Sequence, residues 1–369
     1  MLESTSRSCT VTFATALTLL TLLLFGTSAF AQRYQRTDLT ADNSSISSTA
    51  VIDPNLVNAW GLSRGTGSYF WISDNGTGLS TLYDSTGAIG PLVVTIPPPQ
   101  GGTPPSAPTG TVFNFTTGFE VAPGKPAVFL FVTEDGTIAG WNPLVNASTA
   151  IIKADHSKLG SIFKGCAIAM TGGGPRLYVT NFAAERVEEY DPNFTRMAIS
   201  GFVDPQLPRH YVPFGIQNVG GNIVVTYAYR EPGSKDEAHG PALGYVTVFD
   251  RFGNLVARLD HGAYLNAPWG IALAPSDFGP FSHRLLIGNF GDGTIHAFNT
   301  FSGKLEGTVL DTQGNPLKID GLWALSFGGD TGHSGLATEL FFTAGPNDES
   351  DGLFGKITAT VAEQRGNSE

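Results

Sequence analysis

Cysteine is nearly absent from this sequence: 369 residues contain only Cys9 and Cys166. Cys9 lies in an N-terminal leader, which leaves Cys166 as a lone thiol and excludes an intramolecular disulfide. Cysteine-based zinc ligation is excluded on the same count. The seven His residues are scattered, without an H-E-x-x-H run or zinc spacing. Charged residues make up only 14%, and no Lys/Arg cluster offsets a net charge of −11, which argues against nucleic acid as a partner.

Long apolar runs are confined to one place. "VTFATALTLLTLLLFGTSAF" (11–30) follows Arg7 and ends at the small-residue site Ala29-Phe30-Ala31. Residues 1–31 therefore read as a cleaved signal peptide with cleavage near Ala31/Gln32. The expectation is an extracytoplasmic protein, secreted or periplasmic, without a membrane span after cleavage. Residues 32–360 are expected to form one domain and 361–369 a disordered tail.

What the sequence does hold is glycine, 46 residues, and 23 prolines, which suits many short strands joined by turns. "LLIGNFGDGTIHAFNTFSGK" (285–304) orders an apolar run, a terminal Asn, a Gly turn, an alternating aromatic-polar stretch and a closing Gly. "YFWISDNGTGLSTLYDSTG" (69–87) and "AVFLFVTEDGTIAGWNP" (127–143) repeat that order. "RLYVTNFAAERVEEYDP" (176–192) keeps it without the Gly turn, while the copies near 222–250 and 339–358 are interrupted or degenerate. A second element precedes each copy: "NAWGLS" at 58, "GTVFNF" at 110, "KGCAIAM" at 164, "VPFGIQN" at 212, "NAPWGIALAP" at 266 and "DGLWALSF" at 320. Consecutive starts lie roughly 50 residues apart, the period of propeller blades.

The six units predict an all-β, six-bladed β-propeller with four-stranded blades. The sixth unit stops after its third strand, and residues 34–42, "YQRTDLTAD", supply the missing one. Closing the last blade with the N-terminal strand leaves no long open edge.

The "NAWGLS…WISDNGTG…LYD" and "NAPWGIALAP…LLIGNFGDGTIHAFN" motifs resemble an uncharacterised family of secreted bacterial propellers over nearly all of residues 34–358. Some members of that family carry a surface-sorting tail, a pattern not seen after residue 358 here. Blade periodicity alone is more distantly similar to NHL-repeat propellers and the regucalcin, gluconolactonase and streptogramin-lyase group. That wider resemblance carries no catalytic residues across.

Propeller topology gathers the long loops 97–110, 229–244 and 345–352 on one face, where binding is expected. The residue ending each second strand is Asp74, Glu134, Asn181, Tyr227, Asn289 and Ala344 in turn. Asp74, Glu134, Asn181 and Asn289 offer hard oxygen donors of the type Ca²⁺ or another divalent cation accepts. Equally, Asp and Asn cap turns through their own backbone. Asn58, Asn266 and Asp320, before the first strands, share that face. Trp60, Trp269 and Trp323, with Phe214 in register, either pack between blades or form a platform for a flat ligand.

"GLSRG" (61–65) matches the G-x-S-x-G expression, but Ser63 falls in an inner strand with no helix after it. His239 and His296 are potential bases, and "PNDESD" (346–351) an acidic turn without EF-hand spacing. No acid, base and nucleophile stand out together. The expected function is a monomeric binding propeller for a glycan, peptide or small molecule. A metal-dependent lactonase, lyase or hydrolase is the alternative class.

Overall fold

The computed structural model describes Met1 and residues 33–198 and 200–360. The expected leader, its expected cleavage site and the segment 361–369 lie outside the described residues, Met1 apart.

The described residues form six small, mainly antiparallel blade sheets, a two-stranded hairpin of Glu120–Ala122 with Lys125–Pro126, and no α-helix, the six-bladed propeller expected from the repeats. Blade one is built from Ala59–Arg64, Phe70–Asp74, Leu79–Tyr83 and Val94–Thr95. Blade two uses Pro108–Phe113, Phe129–Thr133, Thr137–Trp141 and Ile151–Asp155. Blade four runs Tyr211–Val219, Asn222–Tyr229, Gly244–Phe249 and Leu255–Arg258; blade five runs Pro268–Leu273, Arg284–Asn289, Ile295–Asn299 and Leu305–Thr308.

Blade six takes Leu322–Phe327, Leu340–Ala344 and Leu353–Ala359, then adds the N-terminal Tyr34–Ala41 antiparallel to Leu353–Ala359. The register begins at Tyr34 opposite Ala359, so the ring is closed as expected. A short parallel strand, Val51–Ile52, extends this blade by one.

Blade three departs from the four-strand expectation. Among the described residues it holds Phe163–Thr171, Gly174–Asn181 and Arg186–Tyr190. The chain beyond Met197 is drawn away towards blade four, where the Phe202 N–H donates to the Gly253 carbonyl at 2.8 Å.

The inner strands approach one another closely because those of blades one to five repeat a glycine at the same place. A Cβ on Gly61 would stand 2.3 Å from the Thr109 carbonyl oxygen, and one on Gly215 would stand 2.2 Å from that of Trp269. No real side chain fits such a gap, so the Gly of the "WG" or "FG" pair is required by the neighbouring blade.

The inner strands also bulge at this point, freeing a backbone N–H that a threonine of the second strand accepts. The Gly165 N–H donates to Thr180 Oγ1 at 2.7 Å, and that hydroxyl donates on to the Phe214 carbonyl of the next blade at 2.7 Å. Thr343 does the same between Ala324 and Trp60. These buried threonines satisfy the bulge and staple blade to blade.

Candidate functional site

The residue before each ring glycine stands at the loop-face end of an inner strand. Around the ring it is Trp60, Thr109, Lys164, Phe214 and Trp269, with Trp323 preceding Ala324 in blade six. The Trp60 and Trp323 ring centres lie 3.7 Å apart, and Trp269 meets both edge-on at 6.2 and 5.9 Å. The aromatic residues thus pack against one another across the channel and plug it. Trp60 and Trp323 are buried, which removes the flat platform as a use for their faces.

The exception in this ring is Lys164. Its side chain is 1% exposed, yet it carries an ammonium group. Nζ lies 2.6 Å from Glu134 Oε1, 3.8 Å from Asp236 and 3.9 Å from Glu237. Beneath it are the rings of Trp60 at 4.8 Å and Phe182 at 5.3 Å, which favour a cation over their faces. Burial works against the charge, but Glu134 and Glu237 outweigh it and hold the ammonium above its ordinary value.

Two long loops supply the other charges. Glu237, buried in the blade-four loop, is held below the usual carboxylate value: burial opposes this, and Lys164 and His239 prevail. The His239 imidazole lies 3.7 Å from Glu237 and is held above its ordinary value by that carboxylate.

Glu349 comes from the blade-six loop, where Asn347, Asp348 and Glu349 all take left-handed backbone angles, φ 56, 51 and 65°. Three successive non-glycine residues in that region are costly, and such strain is concentrated at functional sites. The strained turn delivers the Glu349 carboxylate 2.7 Å from Asn58 Nδ2. Burial raises its pKa, with Asn58 opposing.

Asn58 links the charged roof to the aromatic floor. Its Oδ1 accepts from Trp60 Nε1 at 2.9 Å and Trp323 Nε1 at 3.0 Å, while Nδ2 also donates to Asn75 at 3.2 Å. Asn75 in turn donates to Glu134 at 3.1 Å. Beside this network a cleft of about 440 Å³ opens to solvent, lined by Glu134, Asp135, Ser157, Ser161, Lys235 and Asp236.

The other residues singled out from the sequence fall into two groups. Asn266 and Asp320 hold the long loops: Asn266 Oδ1 accepts from the Gly240 N–H at 2.7 Å, and Asp320 accepts from the Asn347 N–H at 2.9 Å. Tyr227 is buried among Ala167, Ile216 and Val225 between blades, away from the mouth. Trp269 lines the channel with its Nε1 unpaired.

The four oxygen-donor residues do not present one set. Glu134 serves Lys164. Asn181 bonds Ser161 Oγ at 3.0 Å and the Ala184 N–H at 3.1 Å, and Asn289 accepts from the Asn266 N–H at 3.1 Å and donates to Thr294 at 3.1 Å. Asp74 is buried without a well-formed hydrogen bond, near Thr81, Tyr83 and Asp53; burial raises its pKa far above the usual value. Turn capping and local packing claim these side chains, so they do not fit a common cation. Among the described residues, no group of three or more His, Cys, Asp or Glu is placed to hold a metal ion.

Ser63 accepts from the Phe113 N–H at 2.9 Å and joins two inner strands. His296 sits between Thr294 and Thr308 at 2.9 and 3.0 Å, inside a blade.

No family model matches this sequence. It is 33% identical over 315 residues to the uncharacterized protein R648 of Acanthamoeba polyphaga mimivirus, covering 83% of this chain and 76% of the relative. The uncharacterized mimivirus protein L690 is 32% identical over 318 residues, covering 83% and 81%. The chain belongs to the R648/L690 family. Its relatives here are viral, and neither the bacterial source nor the export implied by the sequence resemblance finds support in them.

Among solved structures, the R648/L690-family chain is similar in fold to a protein of unknown function from Bacteroides thetaiotaomicron (TM-score 0.56, 9% identity, 88% of this chain and 76% of that one). A glucose dehydrogenase gives a TM-score of 0.54 at 12% identity, covering 88% and 100%. Virginiamycin B lyase from Staphylococcus aureus gives 0.50 at 12% identity, covering 89% and 100%. At such identities the likeness concerns the fold alone.

Proposed function

We propose that this protein binds a polar ligand, a glycan or the amino end of a peptide, at the loop-face mouth of its channel. The observation that carries the proposal is Lys164, a buried cation at a ring position otherwise mostly aromatic, surrounded by Glu134, Asp236, Glu237 and Glu349. Burying a charge is costly unless paired, and a fold that only needed a plug would use another aromatic residue. The adjoining cleft is rich in carboxylate and hydroxyl acceptors, which suits hydroxyl and ammonium donors.

The test is thermal stabilisation by a panel of oligosaccharides and free-amine peptides. Wild type is compared with Glu134→Gln and with a variant lacking residues 231–241. A ligand that stabilises wild type and neither variant supports the reading. Equal stabilisation of all three sinks it.

A second reading rests on Glu349 and His239. A carboxyl group held towards its neutral form near an imidazole held towards its cationic form is an arrangement for proton transfer, as a lyase or lactonase needs. Turnover of a lactone and ester panel, lost in Glu349→Gln and in His239→Asn, would favour it. Sensitivity of that turnover to chelation would reveal metal dependence.

Both readings take the protein to be an exported monomer with residues 1–31 as its leader. N-terminal sequencing of the expressed protein checks this, and a start at Met1 overturns it.

A further inference from the structure

Arg64, Val219, Leu273 and Phe327 end the inner strands of blades one, four, five and six, opposite the loop face. Together they line a cleft of about 290 Å³ at the far mouth of the channel. A groove of about 620 Å³ between blades four and five adjoins this mouth, and Val219, Gly220 and Leu273 line both. Mouth and groove therefore form one continuous depression.

The mouth carries one cation. Arg64 Nε donates to the Phe327 carbonyl at 2.8 Å and Nη2 to the Gly328 carbonyl at 2.7 Å, which fixes the guanidinium across the seam between blades one and six. Nη1 makes no hydrogen bond among the described residues. Asp330 acts on Arg64 only from beyond ion-pairing distance, and its Oδ1 accepts from the Ala337 N–H at 2.7 Å. None of the described residues lining the mouth is Asp or Glu. In a chain of net charge −11, this guanidinium is bound to carbonyls alone and keeps its charge for an incoming anion.

The groove is apolar. Val224 and Leu285 in its lining belong to the core between the two blades, whereas Val256, Leu273 and Phe301 are 54%, 43% and 98% exposed. His283 is the one titratable side chain among its described lining residues. Apolar side chains exposed side by side mark a binding surface rather than a stable end state.

An apolar groove that runs to a lone cation matches a ligand with the same order of polarity, an apolar chain ending in an anion. A polar ligand at the mouth would leave the groove exposed. A neutral apolar one would leave Arg64 unanswered. Both volumes suit a small molecule, for which sites of about 300–1,000 Å³ are usual.

We propose that this depression binds a long-chain carboxylate of the fatty-acid class. The carboxylate accepts from Arg64 Nη1, and the chain passes over Val219, Gly220 and Leu273 into the groove, where it covers Val256 and Phe301. This site lies on the face opposite the loops and does not depend on the reading given for them.

The probe is laurate below its critical micelle concentration, titrated calorimetrically into the full chain, with dodecanol and octanoate as comparisons. Wild type is expected to bind laurate at least about tenfold more tightly than dodecanol, the effect of a charge-assisted hydrogen bond. Octanoate, four methylenes shorter, should bind about a hundredfold more weakly than laurate. Arg64→Gln should abolish the preference for laurate over dodecanol and leave dodecanol binding unchanged. Should that variant not fold, Leu273→Glu at an exposed position sets a like charge beside the mouth and should weaken laurate binding at least about tenfold. The proposal is overturned by absence of saturable laurate binding, by equal wild-type affinity for laurate and dodecanol, or by undiminished laurate binding to Leu273→Glu or to folded Arg64→Gln. Wild-type self-association, or adsorption to phosphatidylglycerol vesicles, that Leu273→Glu abolishes would make the occupant a second copy or a membrane surface and likewise overturns it.

Discussion

The Lys164 ammonium lies 4.8 Å from the centre of the Trp60 indole, a ring from the corresponding position of another blade. One position of the repeat thus supplies both an aromatic floor and a cation resting on it, and the carboxylates follow from that cation.

Removing the cation should cost more than removing a surface charge. Lys164→Met takes the ammonium away from the buried Glu237 and from Glu134 and is expected to destabilise the fold by about 3 kcal/mol in urea unfolding. Adding Glu237→Gln should recover part of that loss. Additive effects of the two substitutions would show that they do not interact.

The Asn58 oxygen serves two indoles from opposite ends of the chain. Asn58→Ala is expected to cost about 1–3 kcal/mol for each orphaned Nε1. Unfolding should show the loss, and tryptophan fluorescence should shift as Trp60 and Trp323 lose their shared acceptor.

Asp74 predicts a pH dependence of a definite sign. Below its ordinary value of 3.8 both folded and unfolded chains keep the proton, and the side chain carries no charge into the core. Above 3.8 the unfolded chain ionises first, so this group makes stability fall with rising pH until folded Asp74 ionises too, by up to about 1.4 kcal/mol per pH unit. Asp74→Asn removes that slope. Its melting temperature should gain on wild type between about pH 4 and pH 7, and a constant difference would show that Asp74 is not the group responsible.

Gly215 tests the packing of the ring. Gly215→Ala forces a methyl group against the Trp269 carbonyl and is expected to lose about 3 kcal/mol or more, or to prevent folding. Gly67→Ala, at a turn with nothing within 4 Å, should lose far less; its φ of +70° gives about 1 kcal/mol.

The architecture was legible because each blade spells its turns. "DNGTG", "EDGT" and "GDGT" mark the same hairpin, and "YQRTDLTAD" reads as a strand in search of a partner. Blade three shows three paired strands among the described residues, and nothing in the sequence after Tyr190 announces that Phe202 pairs with the blade-four turn. The site was legible only in part. Asn58 and Glu134 stand at repeated positions and do meet at the mouth, whereas Asp74, Asn181 and Asn289 turn into their own blades, a choice of rotamer that spacing does not encode.

Lys164 was visible as the lysine of "KGCAIAM", in register with the tryptophan of "NAWGLS". What it signified depended on Glu237 and Glu349, which come from loops outside the repeat. No period points to them.

The pairing of Tyr34 with Ala359 also sets a timetable. As the polypeptide emerges in order, blades one to five can each assemble from contiguous stretches, while the strand made earliest has nowhere to go. It must wait, unpaired, until almost the whole domain has been synthesised, and only its capture converts an open arc of blades into a sealed circle. Anything that holds residues 34–41 during that interval governs when the molecule is finished.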